Sequence, residues 1–221
     1  KPLTDDLVLA GYGQYTVGIT DLSVFVGGLR SDFVVGVGTA TSVGPVGLHA
    51  EATLTRPPED PLFVRAVGGA MWRPGSTTTL TGELYFQSLG AAKPEGYLEI
   101  LGGERAARGE LWSAGQLYAA VAGVQEITPI LHANLAVIGN LRDPSALLSA
   151  GLGWSVADNA ELALGGYAGL GKAPDRVEMD LALGENGVEL VPPTEAELAN
   201  SVNSEFGLYP AMVFVQGRMY F

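Results

Sequence analysis

The chain has 221 residues, a formal net charge of −12 and no cysteine, and 47% of its residues are hydrophobic. The absence of cysteine excludes disulfides, metal thiolates and thiol catalysis, and the acidic balance argues against nucleic acid as a partner. No apolar run reaches the length of about 18 residues that a transmembrane helix needs. Such a chain is either a soluble all-β domain or a transmembrane β-barrel.

Apolar and polar residues alternate along nearly the whole chain, which indicates β-strands. Turn signals at 74–76, 143–145 and 157–159 separate the alternating runs. Many runs match the roughly 9–11 residues that cross a bilayer at a tilt. The predicted strands, in chain order, are 5–15, 19–29, 33–41, 45–56, 62–73, 77–88, 110–125, 127–142, 145–157, 159–171 and 207–221.

The composition of the polar face favours a barrel over a soluble sandwich or a lipocalin-like barrel, which also alternate. A solvated face should be rich in lysine and glutamate, whereas this one carries mostly threonine, serine, glycine, glutamine, asparagine and tyrosine. Aromatic residues mark the strand ends, as they do where barrel strands cross the lipid headgroups. These aromatic residues are Trp72, Phe86, Trp154, Tyr209 and Phe221.

The last ten residues carry the most specific signal. Val213, Val215, Gly217, Met219 and Phe221 fall on one face, and a glutamine, an arginine and a tyrosine fall on the other. This segment resembles the carboxy-terminal strand of Gram-negative outer-membrane β-barrel proteins. The resemblance implies an outer-membrane location, contact with lipid, and an insertion signal formed by Gly217, Met219 and Phe221 for the barrel-insertion machinery.

The resemblance also implies an orientation, because such barrels end with a strand that runs towards the periplasm. Segments 172–206 and 89–109 are then long extracellular loops. Gln125–Glu126 and the turn signals at 74–76 and 157–159 become short periplasmic turns. Within the long loops, 94–101 predicts a short helix that begins at Pro94, and Thr194 to Glu197 has capping-box spacing.

The predicted strand number is eleven, whereas bacterial single-chain barrels have an even number. We expect one domain over 1–221, an antiparallel transmembrane β-barrel of about 10–12 strands. Either a strand near the amino terminus is miscounted, or an upstream segment or a second chain completes the barrel. We favour an upstream segment, which would make the chain the carboxy-terminal portion of a longer porin-like protein.

Two groups of polar residues are candidates for the lumen. The first is His49, Glu51, Arg65, Arg73 and Glu83, in which Glu51 and Glu83 are expected diagonally across from Arg65. Such charges either bias which solutes pass or pair to stabilise the interior. The second group consists of Tyr118, His132, Asn134, Asn140 and Arg142. Arg218, in the last strand, is a further candidate for the lumen.

The predicted function is a porin-like channel for passive or weakly selective passage of small solutes, without metal, cofactor or enzymatic activity. One alternative is a structural or partner-binding barrel with a blocked lumen. A second is a barrel hydrolase in which His132 activates Ser149 or Ser155, although no motif of such enzymes is present.

Overall fold

A computed structural model describes residues 8–177, 180–184 and 187–220, with side chains described outside 178–191. These residues contain thirteen strands and three short α-helices. The first six strands are β1 (Val8–Val17), β2 (Thr20–Leu29), β3 (Asp32–Val43), β4 (Val46–Arg56), β5 (Phe63–Trp72) and β6 (Thr78–Gln87). A 3-10 turn at Pro94–Gly96, α1 (Tyr97–Gly102) and α2 (Glu104–Ala107) come next. The remaining elements are β7 (Leu117–Thr128), β8 (Leu131–Asn140), β9 (Ser145–Ala157), β10 (Ala160–Leu170), β11 (Asp180–Gly184), β12 (Gly187–Val191), α3 (Glu195–Ser201), a 3-10 turn at Phe206–Leu208 and β13 (Met212–Met219).

Eleven strands form a single antiparallel sheet in the order β1 to β10 and then β13. Neighbours in this meander are successive in the chain, apart from the small hairpin of β11 and β12 between β10 and β13. One end of the sheet, the turn end, has the short connections 18–19, 44–45, 73–77, 129–130 and 158–159. The opposite end, the loop end, has 30–31, 57–62, 88–116, 141–144 and 171–211. The predicted asymmetry between short turns and long loops is therefore present.

Strict alternation gives the sheet two chemically different faces, as the sequence predicts. The register aligns Val215 with Leu164 and Leu152, and it aligns Gln216 with Ala163 and Gly153. The outer face carries valine, leucine and alanine, and Val213 and Val215 are 77% and 68% exposed. The inner face carries the polar rows, and the long loops pack against it at the loop end.

The sheet is not closed into the barrel that the sequence predicts. Within the described residues, β1 pairs only with β2, and β13 pairs only with β10. Both edge strands run from the loop end to the turn end, because eleven is an odd number of antiparallel strands. Antiparallel pairing of β1 with β13 is excluded by this common direction. The predicted number of eleven strands agrees with the number in the main sheet.

The connections contain both confirmed and corrected predictions. A helical segment does begin at Pro94, and Thr194 with Glu197 forms a complete capping box at α3. Gln125 and Glu126 do not form a turn, because a β-bulge carries β7 on to Thr128. Residues 110–116 and 207–211 belong to loops rather than to strands, and the hairpin of β11 and β12 was not predicted. No helix in the described residues has the length and apolar character needed to cross a membrane.

Candidate functional site

A buried group of polar side chains joins the two long loops to the inner face at the loop end. We call it the mouth cluster. It is built around Glu205, of which 1% is exposed. Its members are Gln87, Tyr97, Tyr118, Asn140, Asp143 and Glu205.

The Glu205 carboxylate accepts hydrogen bonds from loop 88–116 and from the sheet. Its Oε1 accepts from the backbone N–H of Ala114 at 2.7 Å. Its Oε2 accepts from Asn140 Nδ2 at 2.7 Å and from the Tyr118 hydroxyl. These donors lie on loop 88–116, β8 and β7, so one side chain from loop 171–211 connects three separate parts of the fold. Hydrogen bonds to a charged acceptor are the stronger ones in proteins.

Asp143 forms the second half of the mouth cluster. Its Oδ2 accepts from the Tyr97 hydroxyl at 2.7 Å, from the backbone N–H of Glu205 at 3.0 Å and from Asn140 Nδ2 at 3.3 Å. Burial raises the pKa of the Tyr97 hydroxyl, and the hydrogen bond and negative charge of Asp143 raise it further. The Tyr97 hydroxyl therefore stays protonated at every physiological pH and can donate a hydrogen bond to the Asp143 carboxylate.

A close approach at Gly115 completes the packing of loop 88–116. A Cβ at this position would lie 2.4 Å from Asn140 Nδ2 and 2.7 Å from the Tyr118 hydroxyl oxygen. Gln87 Nε2 donates to the carbonyl of Gly115 at 2.9 Å and to that of Ser113 at 3.0 Å. Only glycine leaves enough space for the loop to lie this close to the sheet.

A second set of contacts, the arginine cluster, holds the same loop to the other half of the sheet. Arg105 Nη1, at the end of α2, donates to Asp32 Oδ2 at 2.7 Å and to Glu110 Oε2 at 2.8 Å. These carboxylates raise the pKa of the Arg105 guanidinium, the hydrogen bond to Asp32 contributing most. The guanidinium carbon lies 5.0 Å from the centre of the Phe63 ring, a cation–π distance. Arg30 and Arg108 also contact Glu110.

The first predicted lumen group is on the inner face, but its pairing differs from the prediction. His49 Nε2 lies 3.4 Å from Glu83 Oε1, because both residues flank Gly69 on β5. A Cβ at Gly69 would lie 2.6 Å from the His49 ring, so the glycine makes room for this pair. The register places Glu83 four residues away from Arg65 along β5, so the expected Arg65–Glu83 diagonal is wrong.

The other members of that group lie apart. Glu51 aligns with Val67 and is diagonal to Arg65, as predicted, but no ion pair joins them in the described residues. The Arg65 guanidinium instead lies 5.2 Å from the centre of the Phe63 ring, with its Nε and Nη2 atoms buried. Arg73 is exposed in the connection after β5.

The second predicted group separates into two places. Tyr118 and Asn140 belong to the mouth cluster, and Arg142 lies next to it in an exposed connection, where its backbone N–H donates to Asn140 Oδ1 at 2.9 Å. His132 and Asn134 lie on the inner face towards the turn end, where Gly153 and Gly151 leave space for their side chains.

The residues around His132 do not form a catalytic triad. A cavity of about 150 Å³ is lined by His132, Ser155, Glu161 and Arg218. In the described residues no hydrogen bond joins His132 to a serine or to a carboxylate. Ser149 aligns with Ala136, four residues along β8 from His132. A nucleophile activated by His132 would need such a bond, so nothing in this geometry supports the hydrolase alternative.

The last strand has the predicted alternation. Gly217 and Met219 lie on the outer face with Val215, while Arg218 lies on the inner face, where its Nη2 donates to Gln216 Oε1 at 3.3 Å. The Tyr220 hydroxyl donates to Glu161 Oε2 at 3.3 Å. Phe221, the third member of the predicted insertion signal, lies outside the described residues.

Sequence reasoning did not identify Tyr97, Asp143, Glu205 or Arg105 as site residues. Asp143 was read only as part of a turn signal, and Glu205 follows Asn-Ser in a polar stretch with no motif. The one signal in the sequence that Glu205 is buried is the pair of aromatic residues that follows it, Phe206 and Tyr209. In the described residues, no group of three or more histidine or acidic side chains is arranged to hold a metal ion. No protein-family model matches the chain, and no curated protein is detectably similar to it.

Proposed function

We propose that the sheet is the wall of an outer-membrane β-barrel and that small solutes pass along its polar inner face. The observation that carries this proposal is the exposed apolar outer face. Val37, Leu84, Val121 and Val215, from four different strands, are each more than half exposed. An apolar surface of this extent marks contact with a membrane or a partner. In a soluble sandwich a second layer would cover it, and none does in the described residues.

Strand length and orientation support the same proposal. The strands from β1 to β10 have 10 to 13 residues, which is enough to cross the roughly 25 Å apolar band of an outer-membrane barrel. With the loop end outside the cell and the turn end in the periplasm, the long loops are extracellular, as in known barrels. A nitroxide attached in place of Val215 should then be relaxed by oxygen, which partitions into lipid, and one in place of Gln216 by a water-soluble paramagnetic reagent. The reverse result would refute the membrane proposal.

The inner face suggests a weak preference for cations. Acidic side chains outnumber arginines on the strands that line it. The acidic residues are Asp21, Asp32, Glu51, Glu83, Glu126 and Glu161, and the arginines are Arg65 and Arg218. The Glu51→Gln, Glu83→Gln double variant should shift the reversal potential in a KCl gradient towards zero. Glu99→Gln, in a loop, is the matched control.

The mouth cluster favours a second candidate, a barrel with a blocked lumen. Two long loops packed on the inner face by buried hydrogen bonds would narrow or close the extracellular mouth. Planar-bilayer recordings of the purified protein separate the candidates. Stepwise conductance of the unaltered protein supports the channel. Silence that Glu205→Ala, alone or combined with Arg105→Leu, converts into conductance supports a plug, and silence of all these proteins supports a structural barrel.

A further inference from the structure

A cavity of about 320 Å³ lies at the loop end of the inner face, between the first five strands and loop 88–116. Its wall is mainly apolar. The apolar residues include Phe25 of β2, Val34 of β3 and Phe63 of β5. Loop 88–116 contributes Arg105 and Glu110. The volume lies within the range of about 300–1,000 Å³ that is usual for small-molecule pockets, so the cavity is large enough for a small organic ligand.

Two arginines line this cavity, and their charges are satisfied to different extents. Arg105 donates to Asp32 and Glu110, which are the acidic residues of the lining. Within the described residues, Arg65 has no ion pair, and its Nε and Nη2 atoms are buried without a hydrogen-bond partner. Buried donors without an acceptor are unfavourable. Arg65 is therefore the cation of this cavity that lacks an acceptor.

The neighbouring strands do not supply that acceptor. The register places Thr53 and Gln87 on either side of Arg65, and in the described residues neither forms a hydrogen bond with it. Gln87 Oε1 already accepts from the Tyr85 hydroxyl at 3.2 Å, and the Gln87 amide group donates to loop 88–116. Arg65 instead contacts the Phe63 ring, which holds the guanidinium at the cavity wall. An acceptor for Arg65 therefore has to enter through the cavity.

We propose that this cavity binds a small carboxylate with an apolar body. The carboxylate pairs with Arg65, and the apolar body packs against Phe25, Val34 and Phe63. A guanidinium presents parallel N–H donors that match the two oxygens of a carboxylate. Because the Nε and Nη2 atoms are buried, the ligand engages both only after the guanidinium turns towards the cavity. That turn gives the buried donors the acceptor that they lack.

The apolar wall determines which anion fits. Burial of an apolar body is favourable, and the low polarity of the wall strengthens the pair between carboxylate and guanidinium. A strongly hydrated anion such as inorganic phosphate would lose its water without this compensation. The site needs only the cavity and Arg65, so it does not rest on the proposed membrane function. It is also distinct from the weak cation preference, which concerns small ions that pass along the inner face.

Isothermal titration calorimetry of the full polypeptide in detergent micelles tests the ligand chemistry, with phenylacetate as the probe. Phenylacetate should bind saturably, with one molecule per chain. Phenylethanol has the same ring without the charge, and phenylethylamine has the opposite charge. Acetate and inorganic phosphate have the negative charge without the ring. Each of these four compounds should bind at least about tenfold more weakly than phenylacetate, because each lacks one of the two contacts.

Substitutions test the two parts of the site separately. Arg65→Met should weaken phenylacetate binding by roughly 10- to 150-fold, the range for a lost hydrogen bond to a charged group, and Arg65→Lys should be intermediate. Arg65→Met should leave the weaker binding of phenylethanol unchanged, which shows that the cavity is still folded. Val34→Phe should weaken the binding of both compounds, because the larger side chain occupies the cavity. Arg218→Met, which removes an inner-face arginine outside this cavity, is the matched control.

Four results would overturn the inference. The first is a lack of saturable phenylacetate binding to the unaltered protein. The second is equal affinity for phenylacetate and phenylethanol, which would show that no cation recognises the ligand. The third is binding of acetate or inorganic phosphate as tight as that of phenylacetate, since the apolar wall would then have no role. The fourth is an equal loss of affinity in Arg65→Met and Arg218→Met, which would show attraction by overall charge rather than a site at Arg65.

Discussion

Replacement of Glu205 by alanine should loosen the packing of loops 88–116 and 171–211 at the mouth cluster. The substitution removes the acceptor for Ala114 N–H, the Tyr118 hydroxyl and Asn140 Nδ2. A buried donor left without a partner costs about 1–3 kcal/mol. The Tyr118 hydroxyl still accepts from Gly115 N–H, and water will reach some of the vacated space. We therefore expect the free energy of local opening to fall by about 3 kcal/mol, near the lower limit for three lost bonds.

Hydrogen exchange followed by mass spectrometry measures this opening directly. A fall of about 3 kcal/mol raises the exchange rate of segments 110–116 and 202–208 by roughly 150-fold. The exchange rate of Glu205→Gln should lie between those of Glu205→Ala and the unaltered protein. Its amide oxygen still accepts from Ala114 N–H, whereas its NH2 group faces another donor, Asn140 Nδ2. Glu99→Ala, an exposed glutamate of α1, is the matched control. Equal exchange in Glu205→Ala and Glu99→Ala would refute the reasoning.

Four other outcomes are expected. Val215→Arg should destabilise the folded protein in lipid by about 2–4 kcal/mol, as cations do on a lipid-facing surface, and Gln216→Arg should not; equal effects in denaturant titrations would contradict the assigned faces. Ser31→Gly should stabilise by about 1 kcal/mol in thermal unfolding, because Ser31 has a φ of 74° and the left-handed region is costly for other residues; Ser76→Gly is the control. Hydrogen bonds from the backbone N–H and hydroxyl of Thr194 lower the pKa of Glu197, so the α3 cap is intact above the unfolded pKa and is lost as pH falls through the lowered pKa, which hydrogen exchange of 194–201 will detect. Arg105→Leu should expose 104–110 to protease, with Arg105→Lys intermediate because lysine lacks the bidentate geometry; unchanged cleavage would count against the arginine cluster.

The sheet was predictable because one pattern, the alternation of apolar and polar residues, shows both where a strand lies and which face of the sheet each side chain occupies. All eleven sheet strands were found, and they are antiparallel to their neighbours as predicted. The ends of the longer strands were harder to predict. The bulge at Glu126 extends β7 and leaves the alternation of the preceding residues unchanged. Cross-strand pairing needed the actual register, and an error in the assumed register gave Glu83 the partner Arg65 instead of His49.

Only half of the mouth cluster was predictable. Gln87, Tyr118 and Asn140 lie in strands, whereas Tyr97, Asp143 and Glu205 come from connections that have no strand periodicity. Glu205 and Ala114 are 91 residues apart in the chain, and neither lies in a strand. The local helices at Pro94 and Thr194 were predictable from capping chemistry, which acts within a few residues. Where those helices pack depends on tertiary contacts that no local rule contains.

Loop 88–116 connects the two halves of the inner face, and this decides how the mouth can open. Its α2 end is held to β3 by Arg105 and Asp32, and its α1 end is held by Tyr97 to Asp143, beyond β8. In the described residues, the hydrogen bonds from loop 171–211 to the strands at this end come from Glu205 and Phe206 and reach β7, β8 and β9. Loss of Glu205 should therefore free loop 171–211 first, while the arginine cluster still holds loop 88–116 across the mouth. If the sheet surrounds a pore, two separate steps of opening follow from this arrangement, and the arginine cluster determines the second.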